Sequence, residues 1–218
     1  LLYASMLMQH ALFSQPARYV DPFIGTDFHG HTYPGATMPF GMVQLSPDTR
    51  LTGWDGCSGY HYSDSIIYGF SHTHLSGTGV SDYGDILVMP VSGFPGLKNT
   101  GYASPFLKPD EHAEAGYYRV FLEKPQVLAE LTTTLRTGFH RYTFKSNERP
   151  GFIIDLYHRD PVIESWIMAI SDTRIAGYRR SDAWARDQHV YFVMDFSHPF
   201  NTAQLAEYDQ FINTGSGN

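Results

Sequence analysis

Asp48, Asp55, Asp82 and Asp85, five histidines and the chain's one cysteine fall within residues 25–85, a stretch that also holds eleven of its twenty glycines. Paired carboxylates can hydrolyse an acetal, one protonating the leaving oxygen and the other activating water, about 6.5–9.5 Å apart when configuration inverts. Aspartate beside glycine is also an ordinary turn former, so the four aspartates carry both readings. Cys57 suggests a second chemistry, a thiol nucleophile with His61 or His72 as its base. Against it, Gly56-Cys57-Ser58-Gly59 lacks the fifth-position glycine of a nucleophile elbow. In His72-Thr73-His74 an extended backbone would point both imidazoles the same way, which suits a metal. With no third histidine close by, the competing reading has them holding backbone carbonyls.

Trp54 stands out because an indole offers a flat apolar face to the C–H face of a pyranose and an N–H to a hydroxyl. Flanked by Gly53 and by Asp55-Gly56, it reads as a loop residue rather than a core anchor. Asp55 could accept hydrogen bonds from two hydroxyls or cap a turn. Cys57 and His61 share that loop, His31 sits between Gly30 and Thr32, and Thr26 follows Gly25.

The elements that must position these groups read as strands and turns from Arg18 onward. Arg18 to Gly25 and Gly41 to Leu45 are short candidate strands. Ile66 to Ser71 and Asp85 to Val91 flank the glycine-rich segment around His72 and His74, which is therefore a connecting loop. Gly93 to Glu114 reads as a long loop with at most a helical turn. Gly116 to Glu123 alternates, with Tyr118, Val120 and Leu122 on one face. Val127 to Leu135 places Val127, Ala129, Leu131, Thr133 and Leu135 together, and Thr137-Gly138 turns into Phe139 to Phe144. Gly151 to Tyr157 reads as a buried strand; Trp166 to Ile170, Arg174 to Tyr178 and Val190 to Phe196 follow in kind. Only Ala203 to Ile212 has a helix-like composition, and a loop would suit it equally. Many short strands and few helices predict an all-β fold, an antiparallel β-sandwich.

The 218 residues suffice for one sizeable core. A formal charge of −7, from 22 acids against 15 bases, argues against nucleic acid as a partner. One cysteine cannot form an internal disulfide. Residues 1–17 read as the tail of a secretory signal peptide, an apolar core followed by small residues, with an amphipathic helix as the alternative. Gln9 and His10 break the apolar run, so no membrane span is expected.

Longer phrases add a resemblance. Asp21-Pro-Phe-Ile-Gly-Thr26, Gly30-His-Thr-Tyr-Pro-Gly-Ala-Thr37, Pro39-Phe-Gly-Met42, Ser46-Pro-Asp-Thr49, Gly53-Trp-Asp-Gly-Cys-Ser-Gly-Tyr-His-Tyr62 and Gly69-Phe-Ser-His-Thr-His-Leu-Ser-Gly-Thr-Gly79 occur in that order. Together they closely resemble the amino-terminal domain of glycoside hydrolase family 92, the calcium-dependent exo-acting α-mannosidases. The resemblance implies a β-sandwich at residues 18–218, followed in the family by a helical (α/α)6 domain that carries the catalytic acid, the base and the calcium ligands. It therefore implies no catalytic residue and no metal ligand in this chain, and a sandwich left incomplete at its carboxyl end. The implied parent is an inverting exo-α-mannosidase of the α-1,2 type acting on mannose-terminated glycans, including N-glycan processing, secreted or in the periplasm. Trp54, Asp55, Cys57, His61, Thr26 and His31 would contribute to its sugar pocket. A free-standing carbohydrate-binding module is the alternative function.

Overall fold

The computed structural model describes residues 16–212 apart from Tyr208, so most of the leader expectation lies outside the described residues. The strands, in chain order, begin with β1 (Ala36–Thr37), β2 (Gln44–Asp48), β3 (Ile66–Ile67), β4 (Gly69–Ser71) and β5 (Leu87–Ser92). The short helix α1 (Asn99–Tyr102) precedes β6 (Ser104–Pro105), β7 (His112–Glu114), β8 (Tyr117–Leu122), β9 (Val127–Thr133) and β10 (Gly138–Phe144). Then come β11 (Pro150–Asp155), β12 (Val162–Ala169), β13 (Arg174–Ser181), β14 (Gln188–Asp195), β15 (Leu205–Glu207) and β16 (Gln210–Ile212).

Two antiparallel sheets make the sandwich. One runs in the order β1-β2-β4-β5-β11 and the other β10-β9-β8-β7. Alternation along β8 and β9 turns Tyr118, Val120, Leu122, Ala129 and Leu131 inward, where they meet Leu45, Phe70, Leu87 and Met89 of the first sheet. Each such side chain removed from water contributes about 1.5–3 kcal/mol, which makes this shared layer the main stabilising feature. A third sheet, β12-β13-β14, and the hairpin β15-β16 complete the described chain.

Three expectations are corrected. Arg18 to Gly25 is not a strand. Pro16–Tyr19 forms a 3-10 turn, and the Asp21 carboxylate accepts the Phe23 N–H at 2.9 Å to start further turns. Side-chain capping of the backbone here outcompetes strand pairing. Ala203 to Ile212 is neither helix nor loop; β15 and β16 pair through Leu205↔Ile212 and Ala206↔Phe211, and Phe211 rests 5.6 Å from Phe94. The hydrophobic run Gly151 to Tyr157 does form β11, but as an edge strand paired only with β5, its side chains mostly half-buried. The Gly93–Glu114 loop also holds more pairing than expected, since β6 joins β3 and β7 joins β8.

Candidate functional site

The stretch after β2 folds back so that Trp54–Gly56 forms one 3-10 turn carrying Trp54 and Asp55 together. Trp54 is 57% exposed. His31 meets the indole edge-on, ring centroids 4.2 Å apart at 85°, and His29 lies 4.9 Å away on another side. Asp55 ties the group together: its Oδ1 is 2.6 Å from His29 Nδ1 and 3.6 Å from His31 Nε2. The bond with His29 lowers the Asp55 carboxyl, outweighing its partial desolvation, so it stays an acceptor. His31 sits in a left-handed backbone conformation (φ 56°), and its buried Nε2 has no hydrogen-bond partner. A buried unpartnered ring nitrogen costs about 1–3 kcal/mol, a debt that a ligand hydroxyl could cancel.

The loop between β4 and β5 backs this patch. The Gly77 N–H donates to the His31 carbonyl at 2.6 Å. Gly79, with φ +68°, lies so close that a Cβ there would stand 2.8 Å from Trp54 Nε1. Cys57 is buried, and burial pushes its thiol up, away from the reactive thiolate. Gly79→Ala is therefore expected to cost about 1–2 kcal/mol for its left-handed backbone. It should also displace the indole, read as a shift in the Trp54 Nε1–H resonance; an unmoved resonance would contradict the close approach.

Thr26 and His61 lie just behind. Thr26 donates its hydroxyl to the Phe23 carbonyl at 2.8 Å and is buried. His61 has both ring nitrogens engaged, with Ser63 Oγ at 2.9 Å and the Phe28 carbonyl at 3.1 Å. These two residues shape the loop from beneath, whereas Trp54, Asp55 and His31 converge above them. His29 belongs to the patch as well and was missed by sequence reasoning. Its spacing of two from His31 was the available signal.

The remaining candidates do other work. Asp48 is fully buried between Ser71 Oγ (2.5 Å), His74 Nε2 (3.3 Å) and His158 Nε2 (3.3 Å). Burial alone would raise its carboxyl, but the two imidazoles hold it well below the usual carboxylate range. Ser71, His74 and Asp48 contain the residue types of a hydrolytic triad without its wiring. His74 Nε2 lies 3.1 Å from Ser71 Oγ, but the serine donates to the aspartate itself and His74 Nδ1 meets the Gln44 carbonyl rather than a carboxylate, so the Ser–His–Asp order is absent. Gly59 is required beside it, since a Cβ there would lie 2.2 Å from Asp48 Oδ1.

Asp85 is buried and holds Arg179 of β13, Thr73 Oγ1 and Gln188 Nε2. Asp82 accepts the N–H groups of Tyr83 (2.9 Å) and Ala185 (2.6 Å). Its neighbour Asp160 is raised to about 7, by burial first and then by bonding to Asp82 and its charge. Three of the four candidate carboxylates are thus internal fasteners, and only Asp55 is at the surface.

Of the two readings of His72-Thr73-His74, the structure shows the second, in which the imidazoles hold backbone carbonyls, each a different one. His72 Nδ1 donates to the Ile86 carbonyl at 2.6 Å, which leaves a lone pair on Nε2. His140 Nε2, 3.0 Å away, must then donate into it, and the Tyr142 hydroxyl donates to His140 Nδ1 at 2.8 Å. This chain of neutral groups bridges the two sheets of the sandwich. Nor does either proposed base reach Cys57, since the ring nitrogens of His61 and His72 are committed elsewhere. Among the described residues no three His, Cys, Asp or Glu side chains gather as a metal-holding group.

Fold and site define a β-sandwich whose glycine-rich loops assemble aromatic and polar side chains on one exposed patch. The profile of the glycosyl hydrolase family 92 N-terminal domain matches residues 19–217, and the chain belongs to that family. The family GH92 α-mannosidase BT3965 of Bacteroides thetaiotaomicron, solved in complex with mannoimidazole, is 35% identical with a TM-score of 0.87, covering 94% of this chain and 28% of that one. The inverting mannosidase BT2199 of the same bacterium is 27% identical with a TM-score of 0.77, over 90% of this chain and 27% of that chain. An uncharacterized secreted glycosidase of Arthroderma benhamiae is 28% identical over 152 residues, 64% of this chain and 19% of that protein. The chain thus spans less than a third of the length of these relatives.

Proposed function

We propose that this chain is the amino-terminal portion of a longer, exported, inverting exo-α-mannosidase of the α-1,2 type, and that its loops form part of the pocket for the terminal mannose. The observation that carries this is the exposed indole of Trp54 framed by His29, His31 and Asp55, in a chain of family 92. Trp54 packs on an apolar face of the sugar ring, as aromatic platforms do for pyranoses. Asp55 accepts from a sugar hydroxyl, and the free Nε2 of His31 exchanges with another. Cys57, His61 and Thr26 keep the loop in the shape that presents them. The acid, the base and any calcium that holds and distorts the sugar are supplied by the part of the enzyme outside these residues. Export is supported by the uncharged apolar start of the sequence and by the secreted relative.

In the full-length enzyme, Trp54→Ala is expected to lower kcat/KM on α-mannosides roughly ten- to a hundredfold, since such contacts are worth on the order of 1–3 kcal/mol. The unfolding midpoint should not move, because the indole is a surface group. An unchanged kcat/KM would remove Trp54 from the pocket. Turnover by these 218 residues alone, abolished by changing Asp55 or Asp82, would overturn the whole assignment.

A further inference from the structure

The sheet β12-β13-β14 is apolar on both faces. Register places Trp166, Tyr178 and Tyr191 side by side, with Met168, Ala176 and Val193 as the next row on the same face. The rings form a ladder, Trp166 to Tyr178 at 6.3 Å and Tyr178 to Tyr191 at 4.6 Å. Among the described residues this face lies open around the buried Tyr178: Trp166 is 42%, Met168 52%, Tyr191 69% and Val193 62% exposed. The opposite face carries Ile167, Ile175, Phe192 and Met194, all half-buried or buried, and leans on the sandwich through Arg179.

An antiparallel sheet with one wet face alternates apolar and polar residues; one apolar on both faces is built to be covered on both. The charged groups of the open face stand at its two ends, where two ion pairs form and Glu164 lies opposite Arg180. Arg174 pairs with Asp195 at 2.5 Å, and Arg180 pairs with Asp187 at 2.6 Å. The middle therefore offers aliphatic and aromatic carbon, with charge confined to the rim. Met168 and Val193 have no group for a hydroxyl, so this surface suits protein side chains better than a polyhydroxylated ligand.

The chain covers only 28% of the length of the BT3965 mannosidase, and the family profile that it matches is that of an N-terminal domain. We infer that the Trp166–Tyr178–Tyr191 face of β12-β13-β14 is an intramolecular interface, seating an apolar surface of the same polypeptide from beyond residue 218. The inference rests on the reading of the chain as part of a longer enzyme, though not on what that enzyme hydrolyses.

Hydroxyl-radical footprinting of the full-length protein tests it, with light scattering to fix the oligomeric state. The expected result is loss of side-chain modification at Trp166, Met168 and Tyr191 in the monomer. Reactivity should return at Trp166 and Met168 in a Tyr191→Lys/Val193→Lys variant, where two buried charges force the interface apart. Free modification of all three residues in the wild-type monomer would overturn the inference, whether or not the variant folds. Protection that appears only in a dimer, or only when mannan is added, would also overturn it, assigning the face to a second copy or to glycan. Hydrolysis of α-mannosides is assayed separately, so a protein that is protected here but inactive on mannosides would sink the proposed activity and leave the interface standing.

Discussion

Replacing Arg179 with Leu is expected to cost about 3–5 kcal/mol of stability, because it strands the Asp85 carboxylate in the interior without its counter-charge. Arg179 is among the largest fully buried side chains of the protein. Its guanidinium meets Asp85 and donates to the carbonyls of Leu156 (2.7 Å) and Arg159 (3.0 Å). One side chain thereby fastens the third sheet to the loop entering β5 and to the segment leaving β11. Thr73 and Gln188 would still donate to Asp85, but neither supplies charge. For a chain of this length the loss corresponds to a fall of roughly 6–20 °C in Tm. The double variant Asp85→Asn/Arg179→Met should recover a good part of it, since exchanging both partners leaves no orphan charge. Thermal unfolding that shifts by less than a degree in the single variant would mean that water reaches Asp85 and the fastener is dispensable.

That fastener also marks where sequence stops informing on the fold. Alternation in β8 and β9 is local information, and the inward set Tyr118, Val120, Leu122, Val127, Ala129 and Leu131 could be read directly from it. Asp85 and Arg179 lie 94 positions apart, and neither carries a local sign that it will be buried. Composition misled at Ala203 to Ile212, where residues of good helix propensity form a hairpin because cross-strand pairing and the Phe211–Phe94 contact decide the outcome. It misled again at Arg18 to Gly25, where an aspartate one residue ahead of a proline bends the chain into turns.

The patch was partly legible for a similar reason. Trp54 and Asp55 share a single turn, so glycines on either side were enough to place them in a loop. Their meeting with His31 is a tertiary fact that periodicity does not encode, and it came instead from the order of whole phrases in the resemblance. His29 escaped because its role depends on a 2.6 Å contact with Asp55, 26 positions away. For His72 and His74 the sequence carried two readings, a shared face for a metal and a hold on backbone carbonyls. Each imidazole is drawn to a different carbonyl, Ile86 for one and Gln44 for the other, and the buried carbonyls prevail over the idealised backbone direction.

The same buried imidazoles predict how stability responds to acid. His72 is depressed to about 4, by burial first, with its bond to Ile86 and the charges of Asp85 and Asp48 opposing and His74 adding to the depression. His140 is held well below 6.5 by burial and by His72, and Tyr142 contributes only a neutral hydroxyl to the chain. Above pH 6.5 both histidines are neutral whether folded or unfolded, and their contribution is intact. As pH falls from 6.5 towards 4 the unfolded chain takes up protons that the folded one refuses, so stability declines by about 1.4 kcal/mol per pH unit for each such group. For His72 alone that is about 3 kcal/mol across the window. Asp160 acts with the opposite sign, since a carboxyl raised to about 7 protonates in the folded state first and gains stability as pH falls below 7. Total stability is thus a compromise, and the clean readout is a difference. Between pH 7 and 4.5 the advantage of wild type over His72→Gln/His140→Gln should shrink by at least about 3 kcal/mol in urea unfolding, the share of His72 alone. Asp160→Asn, which removes the opposing group, should steepen the wild-type decline over the same range. Parallel curves for all three proteins would show that water reaches the His72–His140 pair and that it titrates as it would in an unfolded chain.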